Sequence, residues 1–176
     1  TTATTTRSPL AIDIDGDGIE TVSLADGTYF DHDANGFAEQ TGWAASDDGL
    51  LVRDINNDGI INDGKELFGD QTILSNGQKA SNGFQALSEL DENKDGKIDT
   101  NDSAYSQLKI WQDVDGDGYS SSDELISLSD AGVASINTGY TNTNITDANG
   151  NTIKQAGSFT KSDGTTGNAS DVWFQT

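Results

Sequence analysis

The strongest constraint in this sequence is an acidic six-residue pattern that occurs five times. Each copy has Asp at position one, Asp or Asn at positions three and five, and Gly at position six: DIDGDG, DHDANG, DINNDG, DENKDG and DVDGDG. We number the copies loops 1 to 5; they begin at Asp13, Asp31, Asp54, Asp91 and Asp113. Alternate side chains of a tight loop direct their oxygens to one point, glycine permits the sharp turn, and the carbonyl of position seven adds another oxygen. The repeat therefore predicts several Ca²⁺ ions as cofactors.

The charge of the chain agrees with this prediction. Its 9 basic and 30 acidic residues give a net charge of −21, which argues against nucleic acid and anionic membranes as partners. The 32% of hydrophobic residues, with three Trp and six Phe, can form a core once cations neutralise the acids. We therefore expect folding to be coupled to metal binding.

Loops 3 to 5 each have an acid near position twelve. Loop 5 matches the complete EF-hand pattern and includes Ser121 as a ligand through water; loop 4 has a shorter acid at position twelve, and in loop 3 the acid falls one position late. The predicted ligands are Asp113, Asp115, Asp117, the Tyr119 carbonyl and Glu124 in loop 5; Asp91, Asn93, Asp95, the Lys97 carbonyl, Asp99 and Asp102 in loop 4; and Asp54, Asn56, Asp58, the Ile60 carbonyl and Glu66 in loop 3.

Loops 1 and 2 have no acid at position twelve, where Leu24 and Gly42 stand. Their predicted ligands are Asp13, Asp15, Asp17 and the Ile19 carbonyl in loop 1, and Asp31, Asp33, Asn35, the Phe37 carbonyl and Glu39 in loop 2. The nearby acids that could complete either site are Glu20, Glu39, Asp47, Asp48 and Asp70. If none does so, the open position could bind the carboxylate of an outside ligand.

The apolar pattern around loops 4 and 5 predicts helices. Apolar residues at helical spacing precede loop 4 and follow each loop: Phe84, Leu87 and Leu90; Ala104, Leu108 and Trp111; Leu125 and Leu128, with Ser122 as an N-cap. We interpret residues 82–132 as a paired EF-hand. The runs GLLVRDI, VASINTGYT, NTIKQAGSFTK and DVWFQT predict strands, and the Asn-Gly and Asp-Gly turns between the last three predict hairpins. The predicted fold class is α+β, with an EF-hand-like helical pair flanked by β-hairpins.

Further expectations concern organisation and the remaining side chains. We expect residues 1–8 to be a linker and residues 9–176 a single module of a larger multidomain chain. Trp43, Trp111 and Trp173 are expected in the core, and His32 on the surface rather than as a catalytic base. Cysteine is absent and no apolar run approaches the roughly 18 residues of a membrane helix. Because weak calcium loops fill only near millimolar calcium, we expect an extracellular location, secreted or at a cell surface.

Several longer strings resemble a known family. PLAIDIDGDGIET, FDHDANG, TGWAASDDGLLVRDINNDGIINDGKELFGD, KIWQDVDGDG and GSFTKSDGTTG are similar to the self-processing module of FrpC-type repeats-in-toxin (RTX) proteins, over about Pro9 to Gly167. The resemblance implies that calcium folds the module and triggers cleavage of an Asp-Pro bond at its amino edge. The cleavage passes through an aspartyl anhydride, which a lysine amine can capture as an isopeptide cross-link.

This chain departs from the family at that bond, because Ser8 precedes Pro9. An aspartate carboxylate can attack its own carbonyl and close a five-membered anhydride. A serine hydroxyl would have to close a strained four-membered lactone. We therefore predict no catalytic residues here, and Ser8 and Pro9 only mark the family's cleavage position.

Three functions follow from these observations. The first is a calcium-dependent module of a large secreted RTX adhesin, which binds a peptide or protein ligand on another cell surface through an acidic group or terminal carboxylate at the calcium of loop 1 or loop 2. The second is a self-processing module that Ser8 has made inactive. The third is a spacer stiffened by calcium. We favour the first, because this sequence cannot carry out the cleavage chemistry.

Overall fold

The computed structural model describes residues 6–176, so residues 1–5 of the predicted linker lie outside the described residues. Fourteen strands and one α-helix occur in this part of the chain. The elements are β1 Thr6–Arg7, β2 Leu10–Ile12, β3 Thr21–Val22, β4 Thr28–Phe30, β5 Glu39–Thr41, β6 Trp43–Ala44, β7 Gly49–Arg53, α1 Gly83–Ser88, β8 Lys97–Ile98, β9 Leu108–Trp111, β10 Leu125–Ser127, β11 Val133–Asn137, β12 Thr141–Thr146, β13 Thr152–Lys161 and β14 Thr166–Gln175. Short 3₁₀ helices span Gly64–Glu66, Ser103–Gln107 and Ser122–Glu124.

Ten of the strands form one antiparallel sheet in the order β10-β9-β7-β2-β14-β13-β11-β8. Strand β1 also pairs with β14, and β12 pairs with β13. Strand β14 is therefore the centre of the fold, since it pairs with β13, β2 and β1. The pairing of β1 places Thr6–Arg7 in the sheet. Two small two-stranded sheets, β3–β6 and β4–β5, are formed by segments within or next to loops 1 and 2.

The predicted α+β fold with a paired EF-hand is wrong, because the protein is mostly antiparallel β. Among residues 6–176 the only α-helix is α1, which ends before loop 4, and the segments after loops 4 and 5 are strands and 3₁₀ turns. Along β9, burial alternates from Leu108 (buried) to Lys109 (exposed) to Ile110 (buried), which is the period of a strand. Loop 5 joins β9 to its antiparallel neighbour β10, with Leu125 opposite Trp111. It is thus the connection of a hairpin, where an EF-hand would have two helices.

The predicted hairpins in the last third of the chain are present. Strands β12 and β13 are joined through a turn at residues 147–151, and β13 and β14 through a turn at residues 162–165. The run GLLVRDI contains β7, as predicted. These segments have both turn residues and β-branched residues, so local sequence and tertiary pairing favour the same structure.

Two hydrophobic clusters pack on the sheet. One contains Leu10, Phe84 and Phe159, and the other is an aromatic group around Trp43 and Trp111. The prediction of a core position is confirmed for these two tryptophans, whose exposed fractions are 2% and 1%. Trp173 differs: it is half-buried, and its ring lies 4.3 Å from Lys154 Nζ.

The prediction of a surface position for His32 is wrong. Its side chain is 1% exposed, packs edge-on against Phe30, and its Nε2 lies 3.0 Å from Thr41 Oγ1. Burial lowers the pKa of His32 to about 3, so the imidazole is neutral. The inward face of β4 continues from Phe30 to His32 in loop 2, because side chains two residues apart share a face.

No helix among residues 6–176 has the length and apolar character needed to cross a membrane.

Candidate metal loops and the Ser8–Pro9 site

All five acidic loops share one hydrogen bond to their first aspartate. One carboxylate oxygen of the first aspartate accepts a hydrogen bond from the N–H of the position-six glycine, at 2.8–3.0 Å in every loop. In loops 2 to 5 the other oxygen accepts one from position five, at 3.0–3.3 Å. The position-six glycines have φ between +71° and +108°, a region that only glycine adopts at low cost. The repeat therefore forms preorganised oxygen-rich turns.

Loops 3, 4 and 5 are closed by an acid in the same way. Glu124 accepts hydrogen bonds from the N–H groups of Val114 and Ser121, at positions two and nine of loop 5. Asp102 makes the equivalent bonds in loop 4, to Glu92 and Asp99. Glu66 makes them in loop 3, to Ile55 and Asn62, although it stands one position later in the sequence.

The candidate closing acids of loops 1 and 2 do not stand at position twelve: Glu20 and Glu39 lie at positions eight and nine of their loops, and Asp47 and Asp48 lie beyond loop 1. The carboxylates of Asp15, Asp17, Glu20 and Asp47 lie within 4.8 Å of one another, as do those of Asp13, Asp15 and Asp48. In loop 2, Glu39 joins Asp31 and Asp33. Asp70, which the sequence also offered as a closing acid, instead contacts Ser8.

The electrostatics of loop 1 favour a cation. Burial and the negative charges of Asp48 and Asp17 raise the pKa of Glu20 to about 7. Burial and the charge of Asp13 raise the pKa of Asp48 to about 7, against a hydrogen bond from the Glu20 N–H. Carboxylates held this close repel one another, and a hard divalent cation bound between them would relieve the repulsion.

Loop 5 is connected to the aromatic core. Trp43 Nε1 donates a hydrogen bond of 2.8 Å to Asp113 Oδ2, and burial raises the pKa of Asp113 to about 6. Asp113, Asp115, Asp117 and Glu124 form one cluster, and Asp54, Asp58 and Glu66 form another in loop 3. Oxygen clusters of this kind can hold a metal ion such as Ca²⁺.

The structure brings most of the side chains predicted as ligands together within their own loops. The residues predicted to contribute position-seven carbonyls are Ile19, Phe37, Ile60, Lys97 and Tyr119. In loops 2 to 5 their N–H groups donate to the position-five side chain, at 2.9–3.2 Å, which fixes the turn beside the candidate metal. The asparagines Asn56 and Asn93 donate to Asp58 and Asp95 within their loops.

A second site surrounds the peptide bond between Ser8 and Pro9. Ser8 is 3% exposed, although the sequence places it at the end of a predicted linker. Its N–H donates to Asp70 Oδ1 at 3.1 Å, and its Oγ accepts from the Asp70 N–H at 2.9 Å. The carbonyl of Pro9 accepts from the Val172 N–H at 3.1 Å. The bond is thus held from both sides, by the segment at residue 70 and by β14.

Asp171 is the functional candidate that sequence reasoning missed. It lies on β14, is fully buried, and interacts with the Ser8 side chain. The sequence did contain a signal that Asp171 could be buried, because it stands directly before the apolar residues of the predicted strand DVWFQT. Only the fold, however, places it beside residue 8.

Comparison with known proteins agrees with this geometry. The family model for the SPM domain matches residues 10–175, nearly the whole chain, so the chain belongs to the SPM domain family. It is also 49% identical over 166 residues to the iron-regulated protein FrpA of Neisseria meningitidis serogroup C. The match covers 93% of this chain and 15% of FrpA, so the chain spans only a small part of that relative. Both findings support an RTX-related self-processing module.

Proposed function

We propose that this chain is the calcium-folded scaffold of a self-processing module from a secreted RTX protein, in which Ser8 leaves the bond before Pro9 intact. The observation that carries the proposal is the position of residue 8. It is buried between Asp70 and Asp171, and both its backbone N–H and its side chain are hydrogen-bonded. A linker that served only to connect domains would need no such enclosure.

Calcium is the cofactor in this proposal. The five loops offer carboxylate, amide and carbonyl oxygens, which are the ligands that Ca²⁺ prefers, and no thiolate or exposed imidazole. When bound, the ions supply positive charge that neutralises the acid clusters. Because loops of this kind bind calcium weakly, the module would be folded outside the cell, where calcium is near millimolar.

The residues around the bond would position it for cleavage if residue 8 were aspartate. Asp70 accepts the N–H of residue 8 and donates its own N–H to the side chain, which restricts how that side chain can rotate. Val172 holds the carbonyl of Pro9. A carboxylate at position 8 could then attack its own carbonyl carbon, with formation of a C–O bond and loss of the bond to the Pro9 nitrogen. Ser8 has no atom that can close that ring.

The first prediction is that Ser8→Asp restores cleavage. In millimolar calcium, intact mass spectrometry should show loss of residues 1–8 from the purified protein, whereas the wild type and Ser8→Ala should stay whole. Chelator should prevent the reaction, because the unfolded chain does not hold the bond. If folded, calcium-loaded Ser8→Asp protein stays uncleaved, the proposal is wrong.

Peptide binding, the function that the sequence favoured, is the second candidate. A groove of about 430 Å³ lies beside loop 5 and is lined by Trp43, Asp113 and Asp115. In this candidate function the ligand would lie in the groove, and its carboxylate would reach the candidate metal of loop 5. Such a ligand would be a peptide or protein of another cell surface.

Calorimetry with a short acidic peptide in millimolar calcium tests this second candidate. The matched control is the same peptide with its terminal carboxylate amidated. Binding that needs both calcium and the free carboxylate would favour adhesion. Equal heats for the two peptides would exclude recognition of the terminal carboxylate.

A further inference from the structure

Asp171 differs from every other buried acid in the described part of the chain. The others are Asp13, Asp48, Glu66, Asp91, Asp102, Asp113 and Glu124. Each of these belongs to an acidic loop or to the group that closes one. Asp171 lies on the central strand β14, opposite Leu10 of β2, and is 0% exposed. Burial of a carboxyl group is costly, so a role other than metal binding is required to explain it.

Only one of its two oxygens is satisfied. Asp171 Oδ2 accepts a hydrogen bond of 2.7 Å from the N–H of Gly83 at the start of α1. Oδ1 is buried and forms no hydrogen bond with any of residues 6–176. The Ser8 side chain is one of the groups that act on the Asp171 carboxyl group, whose pKa it lowers. Asp171 therefore keeps one unpaired buried oxygen on a carboxyl group that interacts with residue 8.

The surroundings of Asp171 favour its protonated form. Burial raises the pKa of Asp171 to about 7, and the negative charge of Asp70 adds to the rise. The Gly83 N–H, the Ser8 hydroxyl and the more distant Lys154 oppose it. Near neutral pH a large share of molecules therefore carries a proton on this carboxyl group. A protonated carboxyl can donate a hydrogen bond, which a carboxylate cannot.

We propose that Asp171 is the proton donor of the residue-8 site, an inference that rests on the proposed function. When an aspartate at position 8 attacks its own carbonyl carbon, the bond to the Pro9 nitrogen breaks and that nitrogen must gain a proton. Asp171 supplies this proton and becomes a carboxylate. Water then opens the anhydride to two carboxyl groups, and a proton released in that step returns to Asp171.

The position of β14 supports this assignment. The Val172 N–H holds the carbonyl of Pro9 at 3.1 Å, so Pro9 lies directly beside residues 171 and 172. Asp70, the other carboxyl group at the site, accepts hydrogen bonds on both oxygens, from the backbone N–H of Ser8 and from the side-chain amide of Gln71. Asp171 is thus the carboxyl group with an unpaired oxygen, which can carry a proton and donate it.

The test compares cleavage by Ser8→Asp with cleavage by the double variant Ser8→Asp/Asp171→Asn at saturating calcium. A positioned general acid contributes about 10²-fold or more, so the double variant should cleave at least about 10²-fold more slowly. The control is Ser8→Asp/Asp163→Asn, since Asp163 lies in the exposed β13–β14 turn and accepts only from Thr165. Its cleavage rate should equal that of Ser8→Asp.

The pH profile separates proton donation from a merely structural role. The rate of Ser8→Asp should rise from acid pH as the nucleophile ionises and fall again at or above about pH 7 as Asp171 loses its proton. The substitution Ser8→Asp removes the serine hydroxyl and adds a negative charge. Both changes raise the pKa of Asp171, so the rate should fall at a higher pH. The residual rate of the Asp171→Asn variant should lack the fall.

The outcomes are distinguishable. No cleavage by folded Ser8→Asp overturns the proposed function together with this inference. Cleavage by Ser8→Asp with an unchanged rate and profile in the double variant overturns the inference alone. If Asp171→Asn fails to fold, as judged by its calcium-dependent melting, the profile of Ser8→Asp decides. A rate that shows no fall on the alkaline side contradicts proton donation.

Discussion

Gly69 shows how closely the chain is packed around Ser8. A Cβ atom at this glycine would lie 1.8 Å from the Ser8 carbonyl oxygen and 2.8 Å from Ser8 Oγ. The obstacle at 1.8 Å is backbone, which cannot rotate away as a long side chain can. Glycine is therefore needed here for a close approach and not for a turn, since its φ lies outside the left-handed region.

We expect Gly69→Ala to destabilise the calcium-loaded protein by about 1–3 kcal/mol, the usual cost of overpacking. Chemical denaturation at saturating calcium measures this change. Gly139→Ala is the matched control, because its Cβ would meet nothing within 4 Å and its φ is ordinary. Equal stability of the two variants would contradict the tight enclosure of Ser8. In the Ser8→Asp background, Gly69→Ala should also slow cleavage by moving the carbonyl.

At the scale of elements, the five loops show that the calcium pattern does not require helices. Loop 5 has the full twelve-residue pattern, yet it connects two strands of a hairpin. The pattern describes only what happens within the loop: the bonds to the first aspartate and to the closing acid. What flanks the loop is decided by how β9 and β10 pack in the sheet.

Glu66 provides the element-scale prediction. We expect Glu66→Gln to raise the calcium concentration at the midpoint of folding by about tenfold or more, because Gln removes a negative charge and one of two charge-assisted hydrogen bonds, each worth about 1.5–3 kcal/mol. Circular dichroism during calcium titration measures the midpoint.

The matched control is Glu89→Gln, because Glu89 is exposed and accepts only from Ser75. A midpoint for Glu66→Gln that equals the control would mean that Glu66 does not close loop 3. Glu124→Gln should behave like Glu66→Gln, since the two acids accept from equivalent N–H groups.

For the whole molecule, net charge governs stability. At −21 the chain repels itself, and filling all five loops would leave a net charge of −11. We therefore expect chelator to lower the melting temperature sharply or to unfold the protein, as followed by circular dichroism. Concentrated NaCl should partly restore the fold by screening, whereas it should add little to the calcium-loaded form. A melting temperature unchanged by chelator would contradict calcium-coupled folding.

The sequence by itself determined the features that depend on neighbours along the chain. The bonds to the first aspartate of each acidic loop join residues three to five positions apart, those to the closing acids of loops 3 to 5 span at most eleven, and the hairpins of the last third depend on local turns, so these features could be predicted. The helix predicted before loop 4 is present as α1, whereas the helices predicted after loops 4 and 5 are absent. Leu108 and Trp111 stand three residues apart and are both buried in β9, so their spacing did not distinguish a helix from a strand that is buried on both faces there.

Only the tertiary structure decided the environment of residue 8. Asp70 reaches Ser8 across 62 positions of the chain, and Asp171 reaches Gly83 across 88. Among 30 acidic residues, the local sequence placed Asp171 at the start of a strand but did not show that it is buried away from the acidic loops. Its position follows from the pairing of β14 with β1 and β2, and its ionisation from burial, because both depend on which distant strands exclude water from that place.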